Sequence, residues 1–105
     1  MANYSFNKQD INDGVRAFRK NSSAVLLDVR TESEYASGYI QGAINLPLQE
    51  LEDVEEVVPG KGTLIYVYCR SGVRSEQAAN ALRFMGYTSV VDIGGILDYV
   101  GEKVR

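Results

Sequence analysis

The run Thr63-Leu-Ile-Tyr-Val-Tyr-Cys69 constrains this chain more than any other stretch. After its first residue it is β-branched and aromatic, with no polar residue alternating through it. That pattern suits a strand buried on both faces. Such strands sit inside parallel sheets, whose crossover segments must cover both sides. The remaining sequence supplies those segments. Ala24-Val-Leu-Leu27, Ala43-Ile-Asn-Leu46 and Tyr87 to Ile93 read as further short strands. Phe6, Ile11, Val15 and Phe18 recur near the helical period and predict an amphipathic helix over residues 7–20. Thr31 and Glu34 form a capping-box pattern for a short helix through about Ser37, which Gly38 ends. Leu48, Leu51 and Val54 mark a surface helix over roughly 48–57, and Pro59-Gly60-Lys61-Gly62 is a turn. Val73 to Met85, stopped by Gly86, is the clearest helix, and Gly94-Gly95 leads into a last helical segment from Ile96 to about Val104. The alternation predicts an α/β fold: a mostly parallel central sheet with helices on both faces.

Residue types narrow the chemistry. The 105 residues, 45% of them hydrophobic, can bury one core, so residues 1–105 are expected to form a single domain. With one cysteine and no histidine, the chain alone can build no Ser-His-Asp triad, no Cys-His pair and no His-containing zinc site. No metal or organic cofactor is expected. The acidic run Glu50, Glu52, Asp53, Glu55 and Glu56 reads as a solvated helix face. A net charge of −3 argues against nucleic acid as a partner. The longest apolar run, Leu64 to Cys69, falls far short of the roughly 18 residues that a membrane span needs. Because Met1 to Asp10 also lacks a signal-peptide pattern, a cytoplasmic location away from membranes is the expectation.

Chemistry concentrates in Tyr68-Cys69-Arg70-Ser71-Gly72-Val73-Arg74-Ser75, between the central strand and the clearest helix. In open α/β sheets ligands bind beyond the C-terminal ends of strands, where a loop feeding a helix points unpaired N–H groups at them. Ser71 and Gly72 permit the tight path in which successive amides converge into an anion-binding nest, with Cys69 at its base. The helix N-terminus, those amides and the guanidinium groups of Arg70 and Arg74 all favour a thiolate, so no histidine base is needed. Arg74, on the first helical turn, is expected to present a planar fork to an oxyanion. The expected site is therefore Cys69 as catalytic nucleophile, with Arg70, Ser71, Gly72, Val73 and Arg74 binding the substrate. Tyr66 and Tyr68 share a strand face and read as packing. Asp28 and Arg30, ending a neighbouring strand, either brace the cysteine loop or form a structural ion pair.

Taken together, these residues resemble a rhodanese domain over nearly the whole chain. The matching pieces are Leu27-Asp28-Val29-Arg30 with Glu34-Tyr35, then Gly38-Tyr-Ile-Gln-Gly-Ala-Ile-Asn-Leu-Pro47, the loop from Cys69 to Arg74, and Gly94-Gly95, in the family's order. The resemblance implies a sulfurtransferase in which Cys69 takes sulfur from a small donor such as thiosulfate and becomes a persulfide. A thiol, cyanide or a thiol-bearing protein would then accept that sulfur. The related dual-specificity phosphatases and arsenate reductases carry a cysteine-to-arginine loop one residue longer, which disfavours phosphatase or arsenate-reductase chemistry here. A persulfide relay that does not use thiosulfate is the alternative within the family. Tyr39 stands where many rhodaneses have histidine, and Tyr99 where many have tryptophan.

Overall fold

The structure is a computed structural model and describes residues 8–105. Four strands, β1 (Val25–Asp28), β2 (Ala43–Asn45), β3 (Ile65–Cys69) and β4 (Val90–Gly95), pair in the order β2-β1-β3-β4. Every pairing is parallel. All five residues of β3 are buried, as its unbroken apolar run requires. Period-two alternation divides the core. Leu26, Tyr66 and Tyr68 point to one face, with Ile11 and Val15 of helix α1 (Ile11–Arg19) and with Ile96. Leu27, Ile65, Val67 and Cys69 point to the other, against Ala78, Ala79 and Leu82 of helix α4 (Val73–Phe84) and against Leu51 and Val54. Helices thus cover both faces, as the sequence predicts.

Parallel pairing brings the C-terminal ends of the strands to one edge, where Asp28 stands beside Tyr68 and Cys69 beside Gly95. The ladder slips just before that edge. Val67 pairs with Asp92 but Tyr68 with Gly94, so β4 carries one extra residue there, a bulge that keeps the glycine pair level with the cysteine.

Several element boundaries differ from the sequence expectation. Helix α1 starts at Ile11, not at residue 7, because the Asp10 carboxylate accepts the backbone N–H groups of Asn12 and Asp13 and caps it. Lys8 instead bridges to Asp92 of β4, and Phe6 lies outside the described residues. The helix expected over 48–57 is a 3-10 segment, Leu48–Asp53, followed by the short α3 (Val54–Val57). The strict three-residue spacing of Leu48, Leu51 and Val54 fits the three-residue turn of a 3-10 helix better than the α period. The short helix at the capping box is α2 (Glu32–Ala36), as expected. The last segment, expected helical to about Val104, has only one 3-10 turn, Ile96–Asp98. Beyond it the chain extends, and Val104 exchanges two backbone hydrogen bonds with Tyr39, at 2.7 and 2.9 Å. Those bonds satisfy groups that a helix would have paired internally.

Gly14 in α1 packs directly onto β4: an added Cβ would lie 2.4 Å from Ile93 Cγ2 and 2.9 Å from Ile93 Cβ. Ile93 is fully buried and branched at that atom, so it cannot swing away. Gly14→Ala should therefore lower stability by about 1–2 kcal/mol, because overpacking outweighs the roughly 1 kcal/mol gain in helix propensity. Urea unfolding of the two proteins measures the sign; a more stable variant would contradict this packing.

Candidate active site

The loop between β3 and α4 takes its shape from two glycines. Gly72, the N-cap of α4, has φ of 109° and ψ of −13°, a left-handed conformation that side chains rarely adopt. The turn swings its N–H onto Cys69, and that N–H donates to Sγ at 3.0 Å. Gly95 permits the second contact. A Cβ there would sit 2.4 Å from the Arg70 carbonyl oxygen and 2.6 Å from Ser71 Cα, so the loop lies directly on bare backbone of β4. The Leu97 N–H donates to that same Arg70 oxygen at 3.2 Å.

A buried hydroxyl fastens the other side of the loop. Ser75 Oγ donates to Asp92 Oδ1 at 2.7 Å, and the same carboxylate oxygen accepts the Gly94 N–H at 3.0 Å. Ser75 and Asp92 thus tie the first turn of α4 to the glycine pair. Ser75 closes the segment that the sequence singles out but has no role assigned there, and Asp92 lies outside it. A serine one turn into the helix after Gly72 was the available signal.

The structure brings Cys69, Arg70, Ser71, Gly72, Val73 and Arg74 together as one loop and the start of one helix. Cys69 is fully buried at its base, whereas Arg70, Ser71 and Val73 are exposed. Arg74 differs from expectation. Its Nη1 and Nη2 donate to Glu34 Oε1 and Oε2 at 2.7 and 2.9 Å, so the fork meets a carboxylate of α2 and is not turned toward an incoming oxyanion. A bidentate guanidinium–carboxylate pair is a strong, directional contact, and here it orders the loop's helix against α2. Arg74, with help from the Thr31 N–H, holds the Glu34 carboxyl well below the usual range, at about 2. The same pairing raises the Arg74 guanidinium, to which the nearby Cys69 also contributes.

Asp28 and Arg30 prove to be brace and ion pair at once. The Arg30 Nη2 donates to Asp28 Oδ2 and to the Gly38 carbonyl oxygen, both at 2.7 Å, and its guanidinium carbon lies 5.7 Å from the Tyr68 ring centre. Burial works against the Arg30 charge, and the Asp28 carboxylate outweighs it. The pair therefore locks the end of β1, the residue before Cys69 and the turn at Gly38. Tyr39 stacks on Tyr35 with ring centres 4.1 Å apart, and Tyr99 packs against the α1 face of the core. Beside the loop lies a cavity of about 180 Å³ whose lining includes Arg30, Glu34, Gly38, Arg70, Leu97 and Lys103. Lys103 belongs to the C-terminal stretch expected to be helical, so its arrival here was not legible in the sequence.

Comparison with known proteins points the same way. The family described as Rhodanese-like domain matches residues 12–102. The chain is 41% identical to thiosulfate sulfurtransferase PspE of Escherichia coli over 80 residues, covering 75% of this chain and 77% of that protein. It is 34% identical to the putative sulfur carrier protein YrkF of Bacillus subtilis, covering 78% of this chain but 44% of YrkF. Among solved structures, the rhodanese-like domain of the Anabaena protein Alr3790 superposes with a TM-score of 0.82 at 29% identity, covering 93% of this chain and 78% of that one.

Two substitutions test the site's construction. Gly95→Ala must push the loop off β4, because the atoms in its way are backbone; it should cost about 3 kcal/mol and change the rate at which a thiol reagent modifies Cys69. Normal stability together with normal thiol reactivity would contradict the close approach. Glu34→Gln should lower stability by about 1–2 kcal/mol at neutral pH. The folded Glu34 carboxyl titrates at about 2, below its unfolded value of roughly 4.3, so its contribution is complete above the unfolded value and fades as pH falls toward 2. Unfolding curves of the two proteins should therefore converge on acidification, and a gap that stays constant down to pH 2 would contradict the pairing.

Proposed function

Because the chain belongs to the rhodanese-like domain family, we propose that it is a sulfurtransferase that carries sulfane sulfur from a thiosulfate-like donor on Cys69. The observation that carries this reading is the Gly72 N–H aimed at Cys69 Sγ from 3.0 Å at the mouth of α4. A donor placed there stabilises a sulfur bearing negative charge, whether thiolate or persulfide, without reorganising at the moment of reaction. The Cys69 thiolate attacks the outer sulfur of thiosulfate. A new S–S bond forms, the old one breaks, and its electron pair departs with sulfite. An acceptor, cyanide or a thiolate, then attacks the outer sulfur of the persulfide and restores the Cys69 thiolate, giving thiocyanate or a new persulfide.

Residues 70 to 74 have distinct parts in this reading. The Gly72 N–H holds the sulfur, the amides of Arg70, Ser71, Val73 and Arg74 are assigned to the bound donor and the persulfide, and the exposed Arg70 side chain meets the donor. Arg74 acts from its seat on Glu34, supplying positive charge near Cys69 and holding the helix that ends the loop. Similarity to a protein named as a sulfur carrier supports a second reading, in which a thiol-bearing protein is the natural acceptor or donor. The two differ in donor use: a thiosulfate enzyme saturates at low thiosulfate, whereas a protein-to-protein relay does not.

Intact mass measures the central step. Incubation with thiosulfate should make the protein heavier by one sulfur atom, cyanide should remove it, and Cys69→Ser should abolish both changes while leaving the fold intact. Sulfur loading in Cys69→Ser, or strong aryl-phosphatase activity with no adduct in the unaltered protein, would sink the assignment.

A further inference from the structure

The cavity of about 180 Å³ holds charge that the cysteine loop does not account for. Of the charged groups on its walls, Arg30 is neutralised by Asp28 and Glu34 by Arg74. Arg70 and Lys103 remain. Among the described residues neither has an acidic partner, so two uncompensated cations face one cavity in a chain whose net charge is −3.

Lys103 reaches this place because of its neighbour. The Val104 N–H donates to the Tyr39 carbonyl oxygen at 2.7 Å, the Tyr39 N–H donates back at 2.9 Å, and the Arg105 Nη1 donates to the Ser37 carbonyl oxygen at 3.3 Å. Residues 103–105 thus form a strap laid across the turn at Gly38. That turn is itself fixed by Arg30, whose Nη2 holds the Gly38 carbonyl. A lysine on such a strap is held at the cavity that Arg70 also lines, so an anion seated there would meet both charges.

We propose that Lys103, presented by this strap, is a substrate-binding residue that grips, with Arg70, the charged end of an anionic sulfur donor while the donor's outer sulfur turns to Cys69. The strap thereby sets a preference for anionic over neutral donors. The destination of the sulfur rests on the sulfurtransferase reading; the anion site stands apart from it. Loss of one such charge from a half-open cavity should weaken anion binding about fivefold, and less so at high ionic strength.

Two measurements test this in parallel. Thiosulfate binding to Cys69→Ser protein, where no sulfur can move, is followed through the NMR shifts of the Gly38 and Leu97 amides. Sulfur loading of protein that keeps Cys69 is followed by intact mass across thiosulfate concentrations. Lys103→Gln should raise both the dissociation constant and the half-saturating concentration about fivefold with the maximal rate unchanged, and Lys103→Arg should restore them. Val104→Pro removes the N–H that Tyr39 accepts and should reproduce the Lys103→Gln loss. Lys20→Gln, at the end of α1 that leads toward the start of β1, should change neither. Methyl methanethiosulfonate, an uncharged reagent, should modify Cys69 equally fast in all of them. Unchanged affinity in Lys103→Gln, an equal loss in Lys20→Gln, or no thiosulfate binding at all would overturn the proposal. Lys103-dependent binding without any sulfur adduct would uphold the anion site and overturn the sulfurtransferase reading instead.

Discussion

A backbone-on-backbone contact governs this site. Arg70 and Ser71 rest on Gly95 so closely that a single methyl group would collide with main-chain atoms at 2.4 and 2.6 Å. Everything above follows from that seat. It lets the loop curl tightly enough for the Gly72 N–H to reach Sγ, and it places Leu97 to hold the Arg70 carbonyl. The bulge in β4 is the adjustment that brings bare backbone to this position, and Ser75 and Asp92 secure it from the side.

Charge around the loop divides into committed and uncommitted groups. Asp28 with Arg30, almost wholly buried, and Glu34 with Arg74, about three-quarters buried, are hydrogen-bonded through two nitrogens or more. Pairs of this kind add little net stability over an apolar substitute, yet they admit few alternative arrangements once formed. Here each joins separate elements: one links β1 to the nearby Gly38 turn, the other α2 to the distant α4. The committed pairs set geometry, and the remaining cations are free for recognition.

Much of this was legible in the residues, and the failures have physical causes. The unbroken apolar run into Cys69 implies a doubly covered parallel strand and Gly72 marks the loop, whereas Gly94-Gly95 reads only as a turn into the last segment and a piece of the family pattern. The same reasoning put Arg74 on the substrate, because a guanidinium near a cysteine loop looks free until the distant Glu34 is folded against it. Glu34 itself is visible as half of a capping box and in the family pattern, with no sign of its partner, and it serves two roles, accepting the Thr31 N–H and Arg74. Asp92 carries no local signal, since its function depends on a bulge that depends on tertiary packing. The C-terminal stretch departs from the helix expected after Gly94-Gly95 because the Tyr39 main chain, far away in sequence, pairs with Val104.

The complete burial of the thiol has a consequence for how the protein ages. Two chains can join through a disulfide only if their sulfur atoms approach to about 2 Å. Cys69 sits beneath its own loop with none of its surface exposed, out of reach of the equally buried Cys69 of a second copy. The fold thus acts as a sieve on whatever approaches the sulfur: a slender terminal atom can thread the loop, whereas a second copy of the chain, whose own Cys69 is equally buried, cannot bring its thiol there.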